Sequence, residues 1–254
     1  MDLTTHEKSN ASGLSGNMLK MIAALSMLID HIGVVLFPHI TILRVIGRIA
    51  FPVFAFMIAE GCAYTKNRLQ YFLTVFLLGA GCQIVYYLNN GQTRLGSLIS
   101  FSLGILVVYA LQYLKNTIYA AESSALNRCA ASVVFLSTVA CVYFLNKYFR
   151  IDYGFWGCMA PAFASVFKTP RTKTLALQTV WERLDRHALH VFMFCLCLIF
   201  VSCASGGKQW YSLLSVPFLL VYSGKRGKLN MKYFFYTFYP AHLIILYCIS
   251  YFLK

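Results

Sequence analysis

The sequence consists of long apolar runs separated by short polar breaks, and this pattern continues from residue 16 to the end of the chain. A helix that crosses the hydrocarbon core of a bilayer needs about 20 predominantly apolar residues, and shorter helices are tolerated where the bilayer thins or neighbouring helices pack against them. The pattern therefore predicts nine spanning helices, which cover residues 16–37, 40–64, 69–88, 95–114, 129–145, 153–167, 187–204, 210–222 and 233–253.

The sixth and eighth of these segments are short and contain a proline each, Pro161 and Pro217. Both are also compatible with broken or re-entrant helices, and the positive charges distinguish the alternatives, because lysine and arginine accumulate in short cytoplasmic loops. With nine spans and a cytoplasmic N-terminus, 15 basic residues lie inside and 5 outside. If the eighth segment does not cross, the count becomes 12 against 8, so the charges favour nine spans and an external C-terminus.

Composition indicates the same class of protein. Hydrophobic residues make up 59% of the chain and charged residues 12%, and the mean hydropathy is +0.65, whereas soluble domains contain roughly 25% charged residues. We therefore predict an all-α polytopic integral membrane protein surrounded by the lipid bilayer. Residues 1–15 form a polar N-terminal tail, and residues 16–254 form a single transmembrane domain. Its first helix is retained, because it is too long for the apolar core of a signal peptide.

The net charge of +14 raises the question of a nucleic-acid partner. The basic residues lie in short loops between apolar runs, however, and not along a face interleaved with aromatic residues, which is typical of a membrane protein. Cysteine and histidine do not show the spacing of a zinc site. The sequence thus predicts neither nucleic-acid binding nor a metal centre.

Ionisable residues inside the predicted spans are the first candidates for chemistry, because they are costly in hydrocarbon. Asp30 and His31 lie in the outer half of the first span, and Arg44 and Arg48 lie at the same depth in the second. The two arginines share one helical face. One interpretation is a salt bridge that only balances buried charge. The surplus of cations around one acid also suits an anionic or electron-rich ligand.

His31 is the residue of this group best suited to proton transfer. Adjacent helical positions point about 100° apart, so Asp30 does not orient it directly, and Asp152 at the start of the sixth span is a hypothetical partner. His242 lies near mid-depth in the last span, two residues after Pro240, which removes a backbone hydrogen bond. Glu60, near the inner face, is interpreted either as an ion-pair partner of nearby basic residues or as the border of a cytoplasmic entrance.

Five segments together resemble the TraX family, which is associated with conjugation and with N-terminal acetylation of pilin. They are KMIAALSMLIDHIGVVLFP, LRVIGRIAFPVFAFMIAEG, DYGFWG, YSGKRG and KYFFYTFYPAHL. The resemblance runs from the first span to the C-terminus. It implies a multi-pass acetyltransferase of the bacterial inner membrane that uses acetyl-CoA. The functional positions that it implies are Asp30, His31, Arg44, Arg48, Asp152, Tyr153 and His242.

These observations lead to one main hypothesis and two rivals. His31 or His242 acts as general base toward a hydroxyl or amine of a glycan or peptide at the outer face, and Arg44 and Arg48 hold Asp30 or stabilise negative charge. The phosphates of CoA bind at the inner face to Lys225, Arg226 and Lys228, with Glu60 at the entrance. The rivals are a transporter or flippase that uses the same polar site, and a non-catalytic membrane assembly factor.

Overall fold

The computed structural model describes residues 13–91, 93–120, 123–170, 175–229 and 231–253. Within these ranges the regular elements are all helices, with two isolated β-bridges and no strand, which confirms the all-α class. Most of the predicted polar tail lies outside them. The helices are α1 (Gly16–Val35), α2 (Thr41–Gly47), α3 (Ala50–Tyr64), α4 (Arg68–Asn90), α5 (Ser97–Ile118), α6 (Ala125–Tyr148), α7 (Gly154–Ser165), α8 (Leu175–Leu184), α9 (His187–Ser205), a 3₁₀ helix (Gly207–Ser215), α10 (Val216–Leu220) and α11 (Lys232–Phe252).

Seven of the nine predicted spans are helices long and apolar enough to cross a membrane within the described ranges. One of them, the second, is divided into α2 and α3 by a turn at Arg48 and Ile49. Pro52 explains this division, because it has no N–H to donate to the carbonyl of Arg48. Arg44 therefore lies in the last turn of α2, and Arg48 directly follows the end of that helix.

The sixth predicted span is the 12-residue helix α7, which rises about 18 Å. Its start adjoins the start of α5, since the Leu95 amide donates to the Arg150 carbonyl over 2.9 Å. Its end adjoins the end of α5, because Lys115 Nζ donates to the Val166 carbonyl over 2.8 Å. The chain therefore passes from one end of the bundle to the other through α7, despite its short length.

Helices α5 and α7 pack closely against each other in the interior of the bundle. A Cβ at Gly104 would lie 2.8 Å from the carbonyl oxygen of Cys158 and 2.9 Å from Cγ of Pro161, so only glycine fits at this crossing. Most of α7 is buried among the longer helices. A short helix is tolerated at membrane depth when protein surrounds it.

The eighth predicted span is the 3₁₀ helix followed by α10. Near its start, Gln209 accepts a hydrogen bond from Arg48 Nη1. Just beyond its end, the amide of Ser223 donates to the Leu14 carbonyl over 2.9 Å, beside the start of α1. This segment also connects the two ends of the bundle, and the chain thus follows the nine-pass path that the charge distribution predicts. We call the end where α1 begins the basic end, and the other the opposite end.

Candidate functional site

A cavity of about 560 Å³ lies in the half of the bundle nearer the opposite end. Helices α1, α2, α3, α4, α5 and α11 and residues 205–209 contribute to its lining. Its size is that of a small-molecule site. Six residues singled out in the sequence line it: Asp30, His31, Arg44, Arg48, Asp152 and Tyr153.

Asp30 is the centre of a charged cluster in this cavity. Arg44 Nη1 lies 2.5 Å from Asp30 Oδ2, and Arg48 Nη2 lies 3.0 Å from Asp30 Oδ1. The side chains of Asp30, Arg48 and Arg44 are 13%, 14% and 29% exposed. The sequence-based expectation that α1 and the second span bring these three groups together is confirmed. One positive charge remains in excess within the cluster.

Glycine at position 47 allows the cluster to form. A Cβ at Gly47 would overlap the carboxyl group and Cβ of Asp30, so the backbone of α2 lies directly against that side chain. Gly33 on α1 has the same role one turn further on, where a Cβ would lie 2.8 Å from Cβ of Leu43. The acid reaches both arginines because the two helices approach this closely.

Replacing Gly47 with alanine is therefore expected to displace Asp30 and lower the free energy of unfolding by about 1–3 kcal/mol, as overpacking does. Thermal unfolding of the purified protein in detergent measures this loss. Gly81, inside α4, is a matched control, because a Cβ there meets no atom within 4 Å. Gly81→Ala should be neutral or stabilising, and equal effects of the two substitutions would contradict the packing argument.

His31 and His242 form a direct pair behind the charged cluster. Nδ1 of His31 lies 2.7 Å from Nε2 of His242, and the two rings stack with centroids 5.0 Å apart. His242 Nδ1 lies 2.7 Å from the carbonyl oxygen of Phe238, one turn earlier on α11. The ring of Phe238 also stacks on His242, with centroids 5.0 Å apart. Both histidines are thus held in fixed orientations.

These contacts determine where the hydrogens lie when both imidazoles are neutral. A carbonyl oxygen only accepts, so His242 Nδ1 carries a hydrogen and its Nε2 is an acceptor. His31 Nδ1 must then donate to it, which leaves Nε2 of His31 with a lone pair. The hydroxyl of Tyr86 lies 3.5 Å from this nitrogen, at the limit of a hydrogen bond. His31, which lines the cavity, therefore presents the basic nitrogen of the pair.

Asp152 and Tyr153 also line the cavity. Asp152 Oδ1 is 2.6 Å from Arg94 Nε. Burial raises the pKa of Asp152 above its ordinary value, against the opposing effects of Arg94 and Arg48. The hypothesis that Asp152 is the partner of His31 is wrong, because the ring nitrogens of His31 contact His242 and Tyr86.

The DYGFWG motif has a structural explanation. Tyr153 has a φ of +62°, which is uncommon for a residue other than glycine, and its ring stacks on Phe51 with centroids 3.6 Å apart. Gly154 follows with the same left-handed backbone, and a Cβ at Gly157 would overlap that of Tyr153. The motif thus turns the chain tightly and places the Tyr153 ring at the cavity wall.

Glu60 lies at the basic end, away from the residues that line the cavity. Its carboxylate is 3.1 Å from Lys168 Nζ, so the ion-pair interpretation holds with a partner from the loop after α7. Burial favours the neutral amine of Lys168, but the nearby acidic groups, Glu60 first among them, together outweigh this effect and raise the pKa of Lys168. Arg68, one of the basic residues that follow Glu60 in the sequence, lies instead over the ring of Tyr109, 5.1 Å from its centroid.

The basic loop before α11 also lies at this end. Lys225, Arg226 and Lys228 are exposed. The carbonyls of Lys225 and Arg226 accept hydrogen bonds from the amides of Gly16 and Asn17, over 2.8 and 3.0 Å. The loop is therefore fixed against the start of α1, and its cations lie outside the cavity.

Gln209 is a cavity residue that the sequence reasoning missed. It lies on the 3₁₀ helix, is 5% exposed, and accepts a hydrogen bond from Arg48 Nη1 over 3.3 Å. A glutamine near the start of a predicted span, just after two glycines, is the one signal that could have identified it.

For metal binding, the described residues contain no group of three or more histidine, cysteine, aspartate or glutamate side chains placed to hold an ion.

The fold and cavity together define a polytopic helical membrane protein with a polar site buried near one end. A family model described as TraX protein matches residues 15–250, and the chain belongs to the TraX family. An uncharacterized protein of Rickettsia prowazekii (strain Madrid E) is 37% identical over 103 residues, which are 40% of this chain and 38% of that protein. The chain thus spans about two fifths of the length of this curated relative. No solved structure matches the chain.

Proposed function

We propose that the protein is an acetyltransferase of the bacterial inner membrane, which moves an acetyl group from acetyl-CoA to a hydroxyl or amine of a glycan or peptide. The observation that carries this proposal is that His31 lines the cavity with its Nδ1 against Nε2 of His242, an arrangement that leaves Nε2 of His31 unprotonated when both rings are neutral. An imidazole oriented in this way is suited to remove a proton from an acceptor as it attacks a carbonyl.

Bonds and protons balance in the transfer when His31 acts as the base. The acceptor oxygen or nitrogen forms a bond to the thioester carbon while His31 Nε2 takes its proton, and the carbonyl electrons move to oxygen. When the carbonyl re-forms, the carbon–sulfur bond breaks, and the proton passes from His31 to the departing thiolate. The products are the acetylated acceptor and free CoA, with His31 neutral again.

The excess positive charge around Asp30 supports the same reaction. Arg44 and Arg48 are held by Asp30 and cannot turn away from the cavity, so their positive field is present before the reaction starts. Fixed charges near the site where an oxyanion develops are worth more than mobile ones in water, because no reorganisation is needed. The Asp30 carboxylate is the counter-ion that makes this arrangement stable in the membrane interior.

The donor approaches from the basic end in this proposal, which the positive-inside rule places in the cytoplasm. Lys225, Arg226 and Lys228 offer charge for the phosphates of CoA beside the start of α1. The cavity reaches Tyr239, whose Cα lies about 10 Å of helical rise from the start of α11. In this proposal, the part of acetyl-CoA that joins its phosphates to the acetyl group follows the line of contact between α1 and α11 to reach His31. The acceptor enters from the opposite end.

Purified protein in nanodiscs, given radiolabelled acetyl-CoA with a panel of amino sugars, neutral glycans and peptides, tests the proposal. We expect CoA release that depends on one class of acceptor. Replacing Lys225, Arg226 and Lys228 together with glutamine should raise the KM for acetyl-CoA roughly 10-fold with little change in kcat, since each exposed charge contributes up to about 1 kcal/mol. Release that no acceptor stimulates, or uptake of an acceptor into proteoliposomes without acetyl-CoA, would overturn it and favour a transporter.

A further inference from the structure

The charges that line the cavity do not balance. Two acids and four bases contribute to the lining, so its net charge is +2 when His31 is neutral. A cleft with an excess of one sign of charge attracts ligands of the opposite sign. The charged cluster around Asp30 accounts for one of the two excess charges. The other belongs to the remaining charged residues of the lining, which are Arg94, Asp152 and Lys208.

Arg94 and Lys208 lie where the cavity is most exposed. Arg94 is in the connection between α4 and α5, and Lys208 is at the start of the 3₁₀ helix, so both are at the opposite end. Both residues are exposed, whereas the other four charged residues of the lining are half-buried. Gly206 and Gly207 also line the cavity, and a Cβ on either would meet no described atom within 4 Å. The chain that leads to Lys208 therefore borders open space.

Both cations retain donors for a ligand. The contact of Arg94 with Asp152 joins Nε to Oδ1 over 2.6 Å. A guanidinium has five N–H donors, so this single contact leaves its terminal nitrogens for further acceptors. Lys208 forms no ion pair with an acid of the described ranges. A guanidinium and an ammonium group are the donors that bind carboxylate and phosphate most strongly.

The lining also distinguishes between kinds of acceptor. A protonated amine, such as the N-terminus of a peptide, brings a positive charge that this cavity repels, whereas a hydroxyl brings none. Tyrosine rings with their hydroxyls suit the C–H faces and hydroxyl groups of a sugar. Four tyrosines line the cavity: Tyr86, Tyr153, Tyr239 and Tyr247.

We propose that Arg94 and Lys208 bind a carboxylate or phosphate group of the acceptor, and that the acceptor is an acidic sugar that reacts through one of its hydroxyls. This inference rests on the proposed acetyltransferase function and deepens it. The anionic group stays with the exposed cations, and a hydroxyl of the same sugar reaches His31, which lines the same cavity. The transfer itself is unchanged, because this contact forms and breaks no covalent bond.

The rival account is that Arg94 only balances Asp152 and that Lys208 is a surface charge. Lys208→Gln removes a cation that has no acid partner in the described ranges. Arg94→Gln combined with Asp152→Asn removes the ion pair without changing the net charge and leaves no acid unpaired. Lys147→Gln is the matched control, because Lys147 is an exposed cation at the same end, on α6, and does not line the cavity.

The experiment compares the Kd for glucuronic acid with the Kd for glucuronamide, two sugars that differ in charge and hardly in size. The protein is held in nanodiscs of phosphatidylcholine, which has no net charge. We expect wild-type protein to bind the acid roughly 10-fold more tightly, since each exposed cation contributes up to about 5-fold. Lys208→Gln and the double variant should each lower this preference roughly 3-fold to 5-fold, with little change in the Kd for glucuronamide. Lys147→Gln should keep the wild-type preference.

Glucose 6-phosphate compared with glucose gives the same test for a phosphate group. A preference below 2-fold for both acids in wild-type protein would overturn the inference. It would also be overturned if Lys208→Gln and the double variant kept the full preference, or if Lys147→Gln lost as much of it as they do.

Failure of the inference and failure of the proposed function give different results. If wild-type protein shows no preference for the acids and releases CoA with a neutral or amine acceptor, the function stands and the inference falls. If it prefers the acids as expected but releases no CoA with any acceptor, these acids included, the proposed function fails. The cations would then form the anion site of a transporter and not an acceptor site.

Discussion

Replacing His31 with alanine is expected to lower kcat for acetyl transfer roughly 10²–10⁴-fold, the usual contribution of a general base. The reason is that Nε2 of His31 is the unprotonated nitrogen of the His31–His242 pair and lines the cavity. The fold should persist, because His31 is not part of the ion cluster around Asp30. Initial rates of CoA release measure the effect, and the thermal unfolding midpoint shows that the variant is folded.

His242 supplies the internal comparison, since it holds His31 and does not line the cavity. His242→Leu should lower kcat less than His31→Ala does. His242→Gln should recover part of the loss, because the glutamine oxygen is able to accept the hydrogen of His31 Nδ1. If His242→Leu is the more damaging substitution and His31→Ala is nearly active, then His242 and not His31 is the base.

The largest effect on stability is expected from Asp30→Asn. Removing the acid leaves two guanidiniums without a counter-ion in a largely buried site, and breaking such a pair costs about 3–5 kcal/mol. Thermal unfolding in detergent and the amount of protein that accumulates in the membrane both report this loss.

Removing one arginine should restore part of the stability that Asp30→Asn loses, and the two arginines should not be equivalent in this respect. Arg44 is 29% exposed and is able to turn toward water, whereas Arg48 is 14% exposed and is also bound to Gln209. Asp30→Asn combined with Arg48→Gln should therefore recover more stability than the combination with Arg44→Gln. Equal recovery by the two double variants would show that the buried charge of Arg48 is not what destabilises Asp30→Asn.

Much of the fold is encoded in features that a single sequence displays. Long apolar runs predict the helices, including the two short segments that form α7 and the 3₁₀ helix with α10. The positions of lysine and arginine favour a crossing by the second of these short segments. Asp30 and its arginines are also predictable, because α1 and α2 are joined by a short turn and their charged residues lie at matching depth.

The rest of the site depends on packing between distant segments. His31 and His242 are 211 positions apart, and nothing in the two local sequences indicates that α1 and α11 are neighbours. Gln209 was missed for the same reason, since its significance comes from Arg48, which lies in the turn between α2 and α3. The wrong partner for His31, Asp152, was chosen by depth in the membrane, which restricts the height of a residue and says nothing about its angle around the bundle.

The contact between α1 and α11 has a consequence for biogenesis. His31 enters the membrane with α1, and the histidine that holds it arrives with α11, after the helices between them. Between these two events His31 lacks the contact that holds it, while the Asp30 cluster of α1 and α2 can already form. If His31 is the base, as proposed above, the site becomes competent only when α11 has inserted and packed beside α1.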